Sequence, residues 1–127
     1  MTNRYFDLID QTFYFPQEGF DIDNEGYLMF NDVPLKYLIE KYGTPLKLTY
    51  LPKIGHQIKK ARNLFTRAMR SVGYTGKYHY CYCTKSSHFS YVLEEVLKYG
   101  VQLETSSAYD LDIIQYLVNK GKILSFV

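Results

Sequence analysis

The stretch YHYCYCTKSSHF, residues 78–89, brings together side chains that can do chemistry. Its alternating aromatic residues and cysteines predict a buried strand that ends near Lys85, with a helix opening three residues later. Because side chains alternate along a strand, we expect His79, Cys81, Cys83 and Lys85 on one face and the tyrosines on the other. A lysine that is desolvated beside small residues can attack a carbonyl group and form a Schiff base. The pattern thus admits a catalytic lysine, although a lysine at a strand end is more often a solvated flank residue.

The same face carries residue types that bind zinc. His79, Cys81 and Cys83 follow one another at every second position. On an extended strand such ligands span roughly 13 Å, which is too far for them to converge on one ion. We therefore predict no metal site there and interpret the two cysteines as reduced thiols of a cytoplasmic protein.

The composition limits the classes of partner. The chain of 127 residues is 46% apolar and 22% charged, which is typical of a globular protein, and its net charge is +2. That charge is too small to predict a nucleic-acid or membrane partner, and from the residue pattern we predict neither a signal peptide nor a membrane-spanning run. We predict a cytoplasmic protein. The basic residues of the helix predicted over 52–72 are interpreted as a solvated face: Lys59, Lys60, Arg62, Arg67 and Arg70.

The order of predicted elements indicates an α/β fold. Strands are predicted over 44–50, 77–84, 101–105 and 122–127, and helices over 52–72, 89–99 and 107–120. This alternation is the pattern of βαβ units, which close as a doubly wound sheet or as a (β/α)8 barrel. A glycine-rich phosphate fingerprint follows none of the predicted strands, which weakens the nucleotide-binding alternative.

The first 33 residues follow no sustained period. DIDNEGYLMFND, residues 21–32, partly matches a calcium-binding EF-hand loop, with these residues at ligand or glycine positions: Asp21, Asp23, Glu25, Gly26 and Asp32. Because YLMF is typical of a strand and such a loop needs a helix on each side, a hairpin turn around Asn24–Gly26 is the favoured interpretation. A short helix is predicted after it, with Pro34 in its first turn and Gly43 at its end.

Three segments together resemble a known family. YGTPLKLTY, the strand ending CTKSSH, and VLEEVLKYGVQLETSSAYDL are similar in order and spacing to the pyridoxal-phosphate (PLP)-dependent fold type III decarboxylases of basic amino acids. The likeness runs from about residue 42 to residue 122 and is closest to the biosynthetic arginine decarboxylases. It implies the N-terminal part of a (β/α)8 TIM-type barrel with parallel strands. Residues 1–41 would form a lead-in arm, and residues 42–127 the first βα units.

The resemblance also implies roles for individual residues. Lys85 matches the lysine that holds PLP, and Glu104 matches an acid at the end of the next strand that tunes the charge of this lysine. Cys83 stands where the family has a small residue against the cofactor ring. Ser87 stands where many members have asparagine, and Asp110 where glutamate is common. Lys85 and Glu104 are thus the expected catalytic residues, and Lys85, Cys83, Ser87 and Glu104 the expected cofactor-binding residues.

The implied reaction is the decarboxylation of arginine to agmatine in polyamine biosynthesis. Diaminopimelate and ornithine decarboxylases are alternatives, as is a truncated, non-catalytic domain that dimerises or binds a partner. The family's phosphate loop, its ring-stacking histidine and its C-terminal domain have no counterpart in the sequence. We therefore expect a fragment that is inactive alone and that belongs to a homodimer or higher oligomer.

Overall fold

A computed structural model describes residues 18–122 of the chain. Contacts between residues divide the chain into two compact units, the first ending at Leu48 and the second beginning at Thr49. Residues 18–122 contain a three-stranded antiparallel sheet in the first unit, a separate two-stranded parallel sheet in the second, and four helices.

The first unit is a small meander followed by a helix. Its elements are β1 (Phe20–Ile22), β2 (Leu28–Phe30), β3 (Val33–Pro34) and α1 (Leu35–Tyr42). Between β1 and β2, Asp23 Oδ1 accepts hydrogen bonds from the backbone N–H groups of Glu25 and Tyr27, at 2.9 and 2.8 Å. These bonds form a turn of the Asx type. The predicted hairpin around Asn24–Gly26 is confirmed, and strands flank the loop where an EF-hand would need helices.

Two positive φ angles form the second turn of the meander. Asn31 and Asp32, between β2 and β3, have φ of 48° and 63°, which is the backbone that a tight two-residue hairpin requires. Helix α1 then ends at Gly43, whose N–H donates to the Ile39 carbonyl oxygen at 2.8 Å. Gly43 has φ of 77°, a conformation that favours glycine, so the predicted end of this helix is confirmed.

The second unit is built around one βαβ connection. Its elements are α2 (Pro52–Ser71), β4 (Cys81–Cys83), a 3₁₀ turn (Thr84–Ser86), α3 (Ser90–Leu97), β5 (Gln102–Glu104) and α4 (Ala108–Asn119). Strands β4 and β5 are parallel, with Cys81 opposite Gln102 and Cys83 opposite Glu104. Because the strands are parallel, their carboxyl ends meet at one edge of the sheet.

One apolar core holds this unit together. Helix α3 contributes three buried residues to it, and α2, α4 and the segment around β5 contribute the others: Ile58, Val92, Leu93, Val96, Val101, Leu103, Ile114 and Leu117. Tyr80 and Tyr82 are half-buried against this core, as predicted for the tyrosine face of the strand. The core therefore packs against β4 through Tyr82 and includes Leu103 of β5.

The predicted barrel is wrong. Residues 44–50 form no strand despite their alternating pattern, and both Leu48 and Tyr50 are exposed. Residues 77–80 form no strand, although the Tyr80 carbonyl oxygen accepts a hydrogen bond from the Gln102 N–H at 3.1 Å, so within residues 18–122 the parallel sheet consists of β4 and β5 alone. Without further parallel neighbours a sheet cannot curve into a barrel. Most of the fourth predicted strand lies outside the described residues.

Helix α2 extends past the core that it was predicted to cover. Ile58 is buried, but Phe65 and Val72 on the same predicted stripe are 51% and 77% exposed. A helix of this length spans about 30 Å, much more than strands of three residues. None of the four helices in the described residues is both long and apolar enough to cross a membrane. Helix α2 has the length, but its sequence carries too many cations.

The predicted solvated basic face of α2 is wrong for Arg62. Its Nη1 and Nη2 donate to the carbonyl oxygens of Tyr99 and Gly100, at 2.6 and 2.9 Å. These carbonyls follow the last turn of α3, where helical carbonyl groups lack partners within the helix. Arg62 therefore ties the middle of α2 to the end of α3.

A candidate active-site cleft around Lys85

A cleft of about 470 Å³ opens at the carboxyl ends of β4 and β5. Two groups of residues line it, one following each strand: Lys85 and His88 after β4, and Ser106, Ser107, Tyr109 and Asp110 after β5. In open parallel sheets, ligands bind preferentially at this edge. We call this feature the Lys85 cleft.

Lys85 reaches the cleft from a turn rather than from a strand. Strand β4 ends at Cys83, and residues Thr84–Ser86 form a single 3₁₀ turn, so the alternation of faces predicted up to Lys85 stops two residues earlier. Thr84 is completely buried, and its hydroxyl donates to the Glu104 carbonyl oxygen at 3.1 Å. This anchor leaves the next residue, Lys85, exposed at the rim.

Cys83 and Glu104 are brought together by the strand register. They lie opposite each other on β4 and β5, and both are half-buried. The hydrogen bond to the Glu104 carboxylate, together with burial, raises the pKa of the Cys83 thiol. The ion pairs formed within residues 18–122 do not include one between Lys85 and Glu104. The Glu104 carboxylate thus acts on Cys83, where it is the largest cause of the raised pKa.

Ser87 has a structural contact rather than a place in the cleft lining. Its carbonyl oxygen accepts a hydrogen bond from the Tyr82 hydroxyl at 3.1 Å. Because Tyr82 packs against the core, this bond holds the segment that follows Lys85. Of the four residues predicted to bind the cofactor, Lys85 lines the cleft, and Cys83 and Glu104 pair with each other beside it.

Asp110 is the best-connected polar residue of the cleft. Its Oδ2 accepts hydrogen bonds from the Ser107 hydroxyl at 2.9 Å and from the Ser106 N–H at 3.4 Å. The Asp110 N–H in turn donates to Ser107 Oγ at 3.3 Å, so the two side chains cap the start of α4 reciprocally. Asp110 is only 5% exposed.

These contacts decide the charge of Asp110. Burial works against the ionised carboxylate, but the hydrogen bonds from Ser107 and Ser106 outweigh it and lower the pKa of Asp110 below its ordinary value of 3.8. The cleft therefore holds a carboxylate that is ionised at neutral pH.

We expect the stability of the fold to depend on the ionisation of Asp110. Because its pKa is lower in the folded chain, the unfolded chain takes up the proton first as the pH falls. The ionised carboxylate thus stabilises the fold above about pH 4, and this contribution is lost as the pH falls through the folded pKa. Urea unfolding at a series of pH values measures this contribution. Near neutral pH the free energy of unfolding should be higher for wild type than for Asp110→Asn, and the difference should shrink as the pH falls.

The matched control for that series is Asp112→Asn. Asp112 is an exposed carboxylate two residues further along α4 and lies outside the capping network. Asp112→Asn removes the same formal charge as Asp110→Asn but breaks no bond of the capping network. The dependence of its unfolding free energy on pH should therefore follow that of wild type. A constant gap between wild type and Asp110→Asn at all pH values would contradict the assignment.

Sequence reasoning did not place five of the six named lining residues in the site. Asp110 was assigned only by its position in the resemblance, and His88, Ser106, Ser107 and Tyr109 were not predicted to line a cleft. The available signal was Ser107 followed by Asp110 three residues later, which is the spacing of a capping box. This spacing indicates where helix α4 begins. Helix α4 begins at the edge of the sheet where the carboxyl ends of β4 and β5 lie.

His79 and Cys81 lie apart from this cleft. Both interact with the Gln102 side chain, His79 Nδ1 at 3.2 Å from Oε1 and Cys81 Sγ at 3.8 Å. Residues 18–122 contain no group of three histidine, cysteine or acidic side chains arranged to hold a metal ion. The contacts of His79 and Cys81 are thus explained by the neighbouring strand.

The chain was compared with protein-family models, with curated proteins and with solved structures. None of the three comparisons finds a match.

Proposed function

We propose that this chain provides the cofactor lysine of a PLP-dependent decarboxylase of basic amino acids, and that Lys85 is this lysine. The observation that supports the proposal is an exposed primary amine in a cleft at the carboxyl ends of two parallel strands. Primary amines of this kind react with aldehydes such as that of PLP. The proposal rests on this cleft and on the resemblance around Lys85, and it does not use the barrel.

The cleft fits the carbonyl-bearing ring of PLP better than its phosphate. Lys85 supplies the amine, and His88 supplies an aromatic ring in the same lining. The start of α4 is already occupied, because Asp110 accepts the Ser106 N–H and the Ser107 hydroxyl there. The negative charge of Asp110 would also repel a phosphate. We therefore assign Lys85 to the ring carbonyl and assign no phosphate contact in this cleft.

Bound PLP supplies an electron sink for the bond that breaks at the substrate α-carbon. The residues of this chain then have two tasks. Lys85 holds the cofactor through its amine. Glu104 accepts the hydrogen bond of the Cys83 thiol and raises its pKa, so the thiol stays protonated and does not compete with Lys85 as a nucleophile.

We propose arginine as the substrate and agmatine as the product, as in polyamine biosynthesis. The ionised Asp110 carboxylate gives the cleft a negative charge that favours a substrate with a cationic side chain. Ornithine would satisfy the same charge, so the choice of arginine rests on the resemblance. We further propose that the enzyme acts in the cytoplasm as a homodimer or higher oligomer.

Reductive labelling tests the role of Lys85. The protein is incubated with equimolar PLP, reduced with borohydride and mapped by mass spectrometry. We expect Lys85 to carry most of the label and Lys85→Arg, which keeps the charge but removes the reactive amine, to abolish that peptide's label. Lys60→Arg, at an exposed position on α2 away from the cleft, is the matched control and should leave the labelling unchanged.

Two further outcomes are informative. Arginine added before reduction should lower the labelling of Lys85 more than equal concentrations of ornithine or diaminopimelate. Label spread over exposed lysines in a protein whose circular dichroism is unchanged would contradict the proposal and favour a non-catalytic binding domain.

A further inference from the structure

A second cleft, of about 510 Å³, lies on the far part of α2 and the segment that follows it. Its cationic lining residues are Arg62 and Arg70 from α2 and Lys77 from the segment before β4, and the His79 ring lies in the same lining. The lining contributed by residues 18–122 contains no carboxylate. We call this feature the basic cleft, and its volume is within the range of about 300–1,000 Å³ that is usual for small-molecule sites.

The walls of the basic cleft are held by contacts outside it. Arg62 is fixed by its two bonds to the carbonyl oxygens after α3, and its guanidinium has further N–H donors that these bonds do not use. The His79 ring is held by Gln102 of β5 at 3.2 Å. A cation that is oriented in advance, as Arg62 is, binds an anion at a lower entropic cost than a mobile one.

Two tyrosine rings complete the lining. Tyr78 stacks on Phe65, with ring centroids 4.3 Å apart and an angle of 12° between the planes. Tyr74 packs over Gly76 so closely that a β-carbon at position 76 would overlap its ring. Tyr74 is 61% exposed, so its ring is accessible to a ligand. The cleft thus offers flat aromatic surface beside its cations.

The carboxyl end of α2 lies beside the cleft, where free carbonyl groups would repel an anion, but two of its carbonyl groups accept hydrogen bonds. The Tyr74 N–H donates to the Met69 carbonyl oxygen at 2.9 Å, and the Gly73 N–H donates to that of Arg70 at 3.3 Å. These bonds close the last turn of α2 in the manner of a Schellman motif. The partial negative charge of the helix end is thereby partly compensated.

From these observations we propose that the basic cleft binds an organic phosphate that carries a flat ring, of the size of a nucleoside monophosphate. Arg62, Arg70 and Lys77 bind the phosphate, because guanidinium and ammonium groups are its preferred partners in proteins. Tyr74 and Tyr78 contact the ring, since aromatic side chains stack on bases independently of their sequence. The Lys85 cleft has an ionised carboxylate instead and takes no part in this site.

Titration with AMP tests the proposal, because AMP has no aldehyde and cannot react with Lys85. We expect binding that Arg70→Ala combined with Lys77→Ala weakens at least about tenfold. The matched control combines Lys60→Ala with Arg67→Ala, which removes the same charge from exposed positions outside the lining. This control should bind AMP as wild type does, and adenosine should bind more weakly than AMP.

Amide chemical shifts give a readout that does not depend on the variants. In the wild-type protein, AMP should shift the signals of residues 74–79 and leave those of residues 106–110 in place. The proposal would be overturned if AMP did not bind at about 1 mM, or if both double variants weakened AMP binding equally. It would also be overturned if a single-stranded oligonucleotide bound more tightly than AMP and both double variants weakened that binding equally. The last result would mean a diffuse basic surface.

Discussion

Leu93→Ala should lower the free energy of unfolding by about 2–5 kcal/mol, the range found for buried leucines. Leu93 is fully buried in α3, at the centre of the only apolar core found within residues 49–122. Its truncation removes apolar contacts and leaves a cavity that three-residue strands are poorly placed to fill. Urea unfolding monitored by circular dichroism measures the change. A domain of this size has about 5–15 kcal/mol of stability in total, so a large fraction is at stake.

The control for that measurement is Leu111→Ala. Leu111 lies on α4 and is 51% exposed, so its truncation should change the free energy of unfolding by less than about 0.5 kcal/mol. Equal effects of the two substitutions would mean that Leu93 is not at the centre of the core.

Gly55→Ala should destabilise the wild-type protein and stabilise a variant that lacks the Tyr99 side chain. Gly55 is buried in α2, and a β-carbon there would overlap the tip of the Tyr99 ring. The Tyr99 hydroxyl donates to Glu95 Oε1 at 3.4 Å, so the ring gives up a contact when it is displaced. Crowding of this kind costs about 1–3 kcal/mol, which exceeds the gain of about 1 kcal/mol from replacing a glycine inside a helix.

A double-mutant cycle separates these two effects. In the Tyr99→Ala background the clash is absent, so Gly55→Ala should raise the free energy of unfolding by about 1 kcal/mol through helix propensity alone. Tyr99→Ala keeps the backbone carbonyl that Arg62 binds, so the cycle does not disturb that bond. If Gly55→Ala changed the free energy of unfolding in the same direction in both backgrounds, the close packing of α2 against Tyr99 would be refuted.

The helices were predictable because their signal is local. The apolar stripe, the proline at the start and the glycine at the end predicted a helix over 52–72, and α2 runs from Pro52 to Ser71. Strands depend on partners that the local pattern does not encode. Residues 44–50 alternate like a strand, yet Leu48 is exposed and the segment joins neither of the two sheets in residues 18–122. The strand pattern allowed a barrel and the family resemblance implied one, but the barrel fails because predicted strands of this kind do not pair.

The candidate site was predictable in position but not in composition. The prediction that Lys85 stands just beyond a strand end was enough to place it at the edge where ligands bind. The neighbours of Lys85 depend on tertiary structure, because Thr84, Glu104 and Asp110 come from three segments that meet only when β4 and β5 pair. The same applies to Arg62, whose partners lie 37 and 38 residues further along the chain.

The pairing of Cys83 with Glu104 gives the two thiols of the chain different susceptibilities to oxidation. The thiolate is the form that oxidants and alkylating reagents attack, and the raised pKa of Cys83 keeps its thiolate fraction low. Cys81 is exposed, and its thiol makes a long contact of 3.8 Å to the Gln102 side chain. Oxidative damage should therefore begin at Cys81, where an added sulfenic acid or glutathione would sit on strand β4 away from the Lys85 lining. The more protected thiol is the one nearer to the proposed chemistry.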